Sequence, residues 1–160
     1  MQITRSDSVK TAAGQSEWFT GTVYMDPVAT PSGTSRLNAS SVHFTPGART
    51  AWHTHPLGQT IYVTEGIGLC QRRGGPVEAI RPGDRVFFEP GEEHWHGASP
   101  DRFMTHLAMF ESDEEGNSAT WGAHVTDEEY GQRLRWPRTS TIAALSPACV
   151  ALTESSDEPL

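Results

Sequence analysis

The sequence predicts an all-β fold, an antiparallel barrel or sandwich of short strands that ends in one short helix and a flexible tail. Three observations carry this expectation. Runs of about 5–8 residues rich in Val, Ile, Thr, Phe and Trp recur at regular spacing. Glycine and proline number 15 and 11 in 160 residues, and they fall between those runs. No strand pattern alternates with a helical one, so parallel βαβ units are not expected. With 36% hydrophobic side chains the chain can bury one core, which argues for a single domain.

The elements follow in order. Residues 1–17 form a polar, patternless N-terminal arm, and residues 18–131 form the barrel domain. Residues 18–25 read as a first strand, ended by Asp26-Pro27 and followed by a Thr/Pro/Ser/Gly loop at 30–35. Residues 37–44 read as a second strand, with Ser40, Val42 and Phe44 on one face and Ser41 and His43 on the other. Pro46-Gly47 turns it into residues 49–55, and residues 59–64 make the next strand. Glu65-Gly66, Gly74-Gly75, Arg81-Pro82-Gly83-Asp84 and Glu89-Pro90-Gly91-Glu92 are turns separating strands at 67–72, 77–80, 85–88 and 94–97. Residues 103–110 form a long strand with His106 in its middle. Residues 111–118 read as a solvated acidic loop and 121–125 as a last strand. Thr126-Asp127-Glu128-Glu129-Tyr130 has the N-cap and acidic first turn of a short helix. Residues 132–160 are read as a disordered tail, with 142–150 apolar enough for a short helix that Pro147 interrupts.

A net charge of −8 without Lys/Arg clusters argues against nucleic acid and anionic membranes as partners. No apolar run approaches the ~20 residues of a membrane span. The N-terminus has no apolar secretory segment, so a cytoplasmic location is expected. Cys70 and Cys149 show no metal or disulfide spacing, and Cys70 reads as a small buried hydrophobe.

The chemistry concentrates in Thr50-Ala51-Trp52-His53-Thr54-His55-Pro56-Leu57-Gly58-Gln59. In extended chain His53, His55 and Gln59 leave one face, which places two imidazoles and an amide oxygen together. His94, in Glu93-His94-Trp95-His96, is the candidate fourth ligand. Such a set suits Mn(II), Fe(II), Co(II), Ni(II) or Zn(II) and leaves positions open for a substrate. A neutral amide in place of a carboxylate leaves the divalent charge free to polarise a bound group, which favours Lewis-acid over redox chemistry. His96 lies two residues past His94 and points into the same cavity. His106, if inward, is a base suited to proton transfer near neutral pH, with His96 assisting. Ser40, Val42, Trp52, Ala108 and Phe110 would make a small apolar pocket, with Thr50 as a polar handle. His43, His124, Arg49, Glu92 and Glu93 read as structural or solvated groups, and Trp95 as core or interface.

These stretches resemble the paired motifs of the cupin superfamily. Gly47, His53, His55 and Gly66 match the first motif, with Gln59 where Glu is usual. Gly83, Asp84, Gly91 and His94 match the second, with Glu89 where proline is common. A narrower likeness runs through 18–23, 46–60, 93–98, 104–108 and 124–128. It is to the small bacterial cupins that include manganese-dependent (R)-selective hydroxynitrile lyases. The resemblance implies a jelly-roll barrel, a metal centre on His53, His55, Gln59 and His94, and Mn(II) as the ion. It implies a lyase that cleaves or forms cyanohydrins on a small-molecule substrate, in a homodimer or homotetramer. A small-cupin Fe(II) dioxygenase and a non-catalytic ligand-binding cupin are the alternatives.

Overall fold

Alternating inward apolar and outward polar residues close into two antiparallel sheets facing each other, in a computed structural model that describes residues 1–131. The strands are β1 (Ala12–Ala13), β2 (Phe19–Thr20), β3 (Val23–Ala29), β4 (Leu37–Phe44), β5 (Arg49–Thr50), β6 (His53–Thr54) and β7 (Gln59–Gly66). They continue with β8 (Gly68–Arg72), β9 (Glu78–Ile80), β10 (Arg85–Phe88), β11 (His94–Ala98), β12 (Met104–Glu111) and β13 (Thr120–Trp121), before helix α1 (Asp127–Tyr130). One sheet runs β1-β3-β4-β12-β7-β10. The other runs β13-β6-β11-β5-β2, with β8 on β11 and β9 on β8. Among the described residues, no helix is long and apolar enough to cross a membrane. The sequence readings at 132–160, including the helix at 142–150 and Cys149, lie outside the described residues.

Several boundaries differ from the sequence reading, each for a local reason. The arm is not wholly loose, because Ala12 and Ala13 pair with Met25 and Tyr24. The strand expected over 18–25 divides at Gly21, whose φ of 80° breaks the extended run. Its second part continues through Asp26-Pro27 instead of ending there. Beyond Tyr24 and Met25, β3 has β4 on one side only, and its register shifts between Pro27 and Ala29. An edge with a bulge is where a strand tolerates a residue without an N–H. Of residues 121–125, only Trp121 lies in a strand.

The largest difference concerns residues 49–59. They are not one extended strand: Ala51-Trp52 interrupts between β5 and β6, and a turn through Gly58 (φ 80°) separates His55 from Gln59. Gln59 opens β7 in the opposite sheet, so the three residues converge across the barrel instead of along a strand face. Trp52, expected in the pocket, faces away from it. It packs with Leu69, Val77, Trp95 and Val125 on the far side, under the Arg73 guanidinium 3.6 Å from its ring. Since side chains alternate in extended chain, an inward His53 turns its predecessor outward.

The principal core fills the space between the sheets with Val23, Phe44, Ile61, Val63, Phe88 and Met104. Trp95 anchors the second cluster and donates from Nε1 to Gln71 Oε1 at 2.8 Å. Helix α1 covers that side. Thr126 and Glu129 make the reciprocal cap, as the sequence predicts. Arg49 is neither exposed nor near the chemistry. It is buried, donates twice to the Val125 carbonyl and once to Asp127, and lies 4.5 Å from the Tyr130 ring, tying helix to sheet. Cys70 is buried, and burial pushes its thiol up to about 12, so it acts as a hydrophobe.

Candidate metal centre

Strand pairing brings the histidines together. His53 on β6 and His94 on β11 are register partners, and their ring centres lie 4.3 Å apart. His55 follows β6 directly, 5.2 Å from the His53 ring. From the other sheet, Gln59 on β7 sends its Oε1 to within 3.1 Å of His94 Nε2 and 3.2 Å of His96 Nε2. His106 on β12 completes the cluster, with Nε2 3.1 Å from His96 Nδ1. Ring nitrogens of His53, His94 and His96 fall within 4.8 Å of one another.

The backbone fixes which nitrogen each ring offers. His53 Nδ1 lies 3.0 Å from the Ala51 carbonyl, His55 Nδ1 2.6 Å from the Ser118 carbonyl, and His94 Nδ1 2.7 Å from the Glu92 carbonyl. A carbonyl only accepts, so each Nδ1 carries the proton and each Nε2 is a bare lone pair. This is how proteins prepare an imidazole as a metal ligand. The His55 Nε2 is buried without a partner, a cost that a bound cation would remove. Gln59 Oε1 and His94 Nε2, both lone-pair bearers, face each other at 3.1 Å, again the arrangement a cation resolves. The donor set therefore fits a divalent ion.

His96 differs, since both its ring nitrogens are engaged, one by Gln59 and one by His106. Burial is the leading reason that all these imidazoles are shifted down. His53 and His96 lie well below the ordinary histidine value, His55 lies below it, and His94 is brought to about 4. They are neutral near pH 7, the state ligation requires. His106 is pushed down to about 3, which corrects the expectation of a group titrating near neutrality. Near pH 7 it is a neutral imidazole, and its Nδ1 has no partner from another residue.

A cavity of about 190 Å³ opens on this cluster. Ser40, Val42, Thr50, Ala108 and Phe110 line it, beside His53, His55, Gln59, His96 and His106. Thr50 is no free handle, because its Oγ1 accepts from the His96 backbone N–H at 3.1 Å. His94 stands behind the cavity wall, stacked on Phe88 at 3.7 Å. Sequence reasoning missed one wall altogether. Ser118, Ala119 and Trp121 cross the opening, where Trp121 stacks on His53 at 4.6 Å and on Trp18 at 5.2 Å.

The groups outside the cavity are structural. His43 contacts Asp26 and Thr105, both at 3.1 Å, and His124 contacts Thr20 at 3.2 Å. Glu93 forms a paired contact with Arg73 at 2.8 and 3.0 Å.

Comparison with known proteins agrees with this architecture. A family model described as a cupin domain matches residues 40–108, from β4 to β12. An (R)-mandelonitrile lyase of Granulicella tundricola is 54% identical over 130 residues, covering 81% of this chain and 98% of that protein. The crystal structure of a cupin-like protein from Thermotoga maritima superposes with a TM-score of 0.70 at 40% identity, covering 74% of this chain and 90% of the other. The polyketide cyclase RemF from Streptomyces resistomycificus shares the fold at 20% identity and a TM-score of 0.63, over 81% of this chain and 90% of its own. With such identity over most of its length, the chain belongs to the cupin family.

Proposed function

We propose that this protein is a metal-dependent lyase that cleaves cyanohydrins, or forms them in reverse, with one divalent ion held by His53, His55, Gln59 and His94. The observation that carries the reaction class is the 54% identity to a protein named (R)-mandelonitrile lyase, which this chain matches over 98% of its length. The ion, for which we favour Mn(II), would act as a Lewis acid that polarises the substrate and offsets developing negative charge.

The chain's own residues account for the rest. The cavity of about 190 Å³ compares with the roughly 150 Å³ apolar cavities that accept benzene, so an aromatic cyanohydrin is a fitting guest. Val42, Phe44, Ala108 and Phe110 supply the apolar surface and exclude water from the reacting bond. His106 Nδ1, neutral and unpartnered, accepts the hydroxyl proton as the C–CN bond breaks. The bond's electron pair leaves with cyanide and the carbon–oxygen bond becomes the carbonyl. Buried His106 holds the proton weakly and returns it to cyanide, so aldehyde and hydrogen cyanide depart. His96, 3.1 Å from His106 Nε2, keeps that ring oriented.

Mandelonitrile offered to the manganese-loaded protein tests this. We expect benzaldehyde release that falls about 100-fold or more in His106→Ala, the size of a general-base contribution. Release no faster than in the variant would reject the assignment. Oxygen uptake that depends on an added substrate would instead mark an oxygenase.

A further inference from the structure

We propose that His96 is a positioning residue that decides which end of the Gln59 amide faces the ion. The inference rests on the four-ligand reading above.

A glutamine ligand has a difficulty that a glutamate lacks. Its amide oxygen and amide nitrogen are nearly identical in shape, so packing alone does not select between them, yet only the oxygen can bind a cation. In this cluster the nearest bare lone pair favours the wrong choice. His94 Nε2, its Nδ1 proton committed to the Glu92 carbonyl, would accept a hydrogen bond from the amide NH₂. Turned that way, Gln59 would close the site against a cation with a satisfied hydrogen bond.

His96 supplies the opposing bias. Its Nε2 lies 3.2 Å from Gln59 Oε1, and its Nδ1 lies 3.1 Å from His106 Nε2. Two proton arrangements satisfy the second contact. If His106 Nε2–H donates, His96 carries its own proton on Nε2 and donates it to Gln59 Oε1, and His106 Nδ1 is an unpartnered acceptor. If His96 Nδ1–H donates instead, His106 must keep a buried Nδ1–H with no acceptor beyond its own backbone carbonyl, and a bare His96 Nε2 faces an amide oxygen. The second arrangement leaves a buried donor poorly satisfied, which the first avoids, so the first holds. The relay then runs from His106 through His96 to Gln59. It spends one oxygen lone pair on His96 and leaves the other for the ion. In this arrangement His96, although within metal-holding distance of His53 and His94, orients Gln59 instead of binding the ion, because its Nε2 is protonated.

A double-mutant cycle on the full chain, read as Mn(II) affinity by chelator competition, tests this. A carboxylate presents oxygen either way round, so Gln59→Glu removes the need for selection. We expect His96→Leu to lower Mn(II) affinity about 10–100-fold alone, the usual loss for a partner that orients a ligand. Combined with Gln59→Glu, the same change should cost less than about threefold. His96→Gln, which keeps an N–H donor near the Nε2 position, should retain affinity while His96→Asn, whose donor falls short, should not. That pair carries the test if the leucine variant does not fold. An equal loss in both backgrounds overturns the proposal and makes His96 a ligand or a structural residue. No loss in either background overturns it too. If the unmodified protein binds no Mn(II), the four-ligand reading itself fails, an outcome distinct from an additive cycle.

Discussion

Gly97 shows how little room the centre has at the scale of one residue. It lies on β11, three positions past His94, and pairs with Arg49 on β5. A Cβ built there would sit 2.4 Å from the Ala48 carbonyl oxygen and 2.6 Å from Arg49 Cα, both backbone atoms that cannot swing away. Gly97→Ala should therefore destabilise the protein by about 1–3 kcal/mol through overpacking, read as a lower urea midpoint. An unchanged midpoint would show that β5 can shift. Residue identity was most legible where chemistry restricts it. His53, His55, Gln59 and His94 stood out because few side chains ligate a cation, and the two histidines shared a tight spacing. Ser118 was illegible, since it acts through a carbonyl that every residue carries. Trp52 was misread because its aromatic character was weighed without the alternation that turns it outward.

At the scale of elements, residues 113–121 matter more than their acidic composition suggests. The Asp113 carboxylate accepts from the backbone of Glu115 at 3.0 Å and Asn117 at 2.8 Å, and from Asn117 Nδ2 at 3.0 Å. This turn launches the segment whose Ser118 carbonyl holds His55 and whose β13 pairs with β6 at His53. The loop read as solvated is thus a strap over two proposed ligands. Asp113→Ala should loosen it and weaken Mn(II) binding about threefold or more, below the roughly 10–100-fold loss of a direct partner. Chelator competition measures this, and unchanged affinity would show that β13 alone holds the strap. The long strands β4, β7 and β12, eight residues each, were legible as β-rich runs between turns. The pieces β2, β5, β6 and β13, each two residues long, were not, because so short a run carries no period. Their extended state comes from partners distant in sequence.

For the whole molecule, the cost of burying neutral imidazoles sets the response to acid. His94 at about 4 and His106 at about 3, with His53, His55 and His96 also shifted down, bind fewer protons folded than unfolded once the pH is below about 6.5. Stability from these groups is therefore complete above pH 6.5 and is lost as the pH falls toward 4. We expect the melting temperature of metal-free protein to drop steadily from pH 7 to 4.5. Mn(II), binding only the folded site, should raise it and make it depend on ion concentration. A flat metal-free profile would show that these rings do not govern the acid limit. The jelly-roll class was legible in the turn spacing and the paired histidine motifs. The crossing that puts Gln59 opposite His94 was not, since it arises only when the two sheets face each other.

The stack of Trp18 on Trp121 and of Trp121 on His53 has an optical consequence. The Trp121 indole lies 4.6 Å from the ring of His53, a proposed ligand, so a paramagnetic ion held there would be close enough to quench its emission. If the proposed Mn(II) binds, part of the emission of the five tryptophans should fall on its addition, and Trp121→Phe should lose that part of the response.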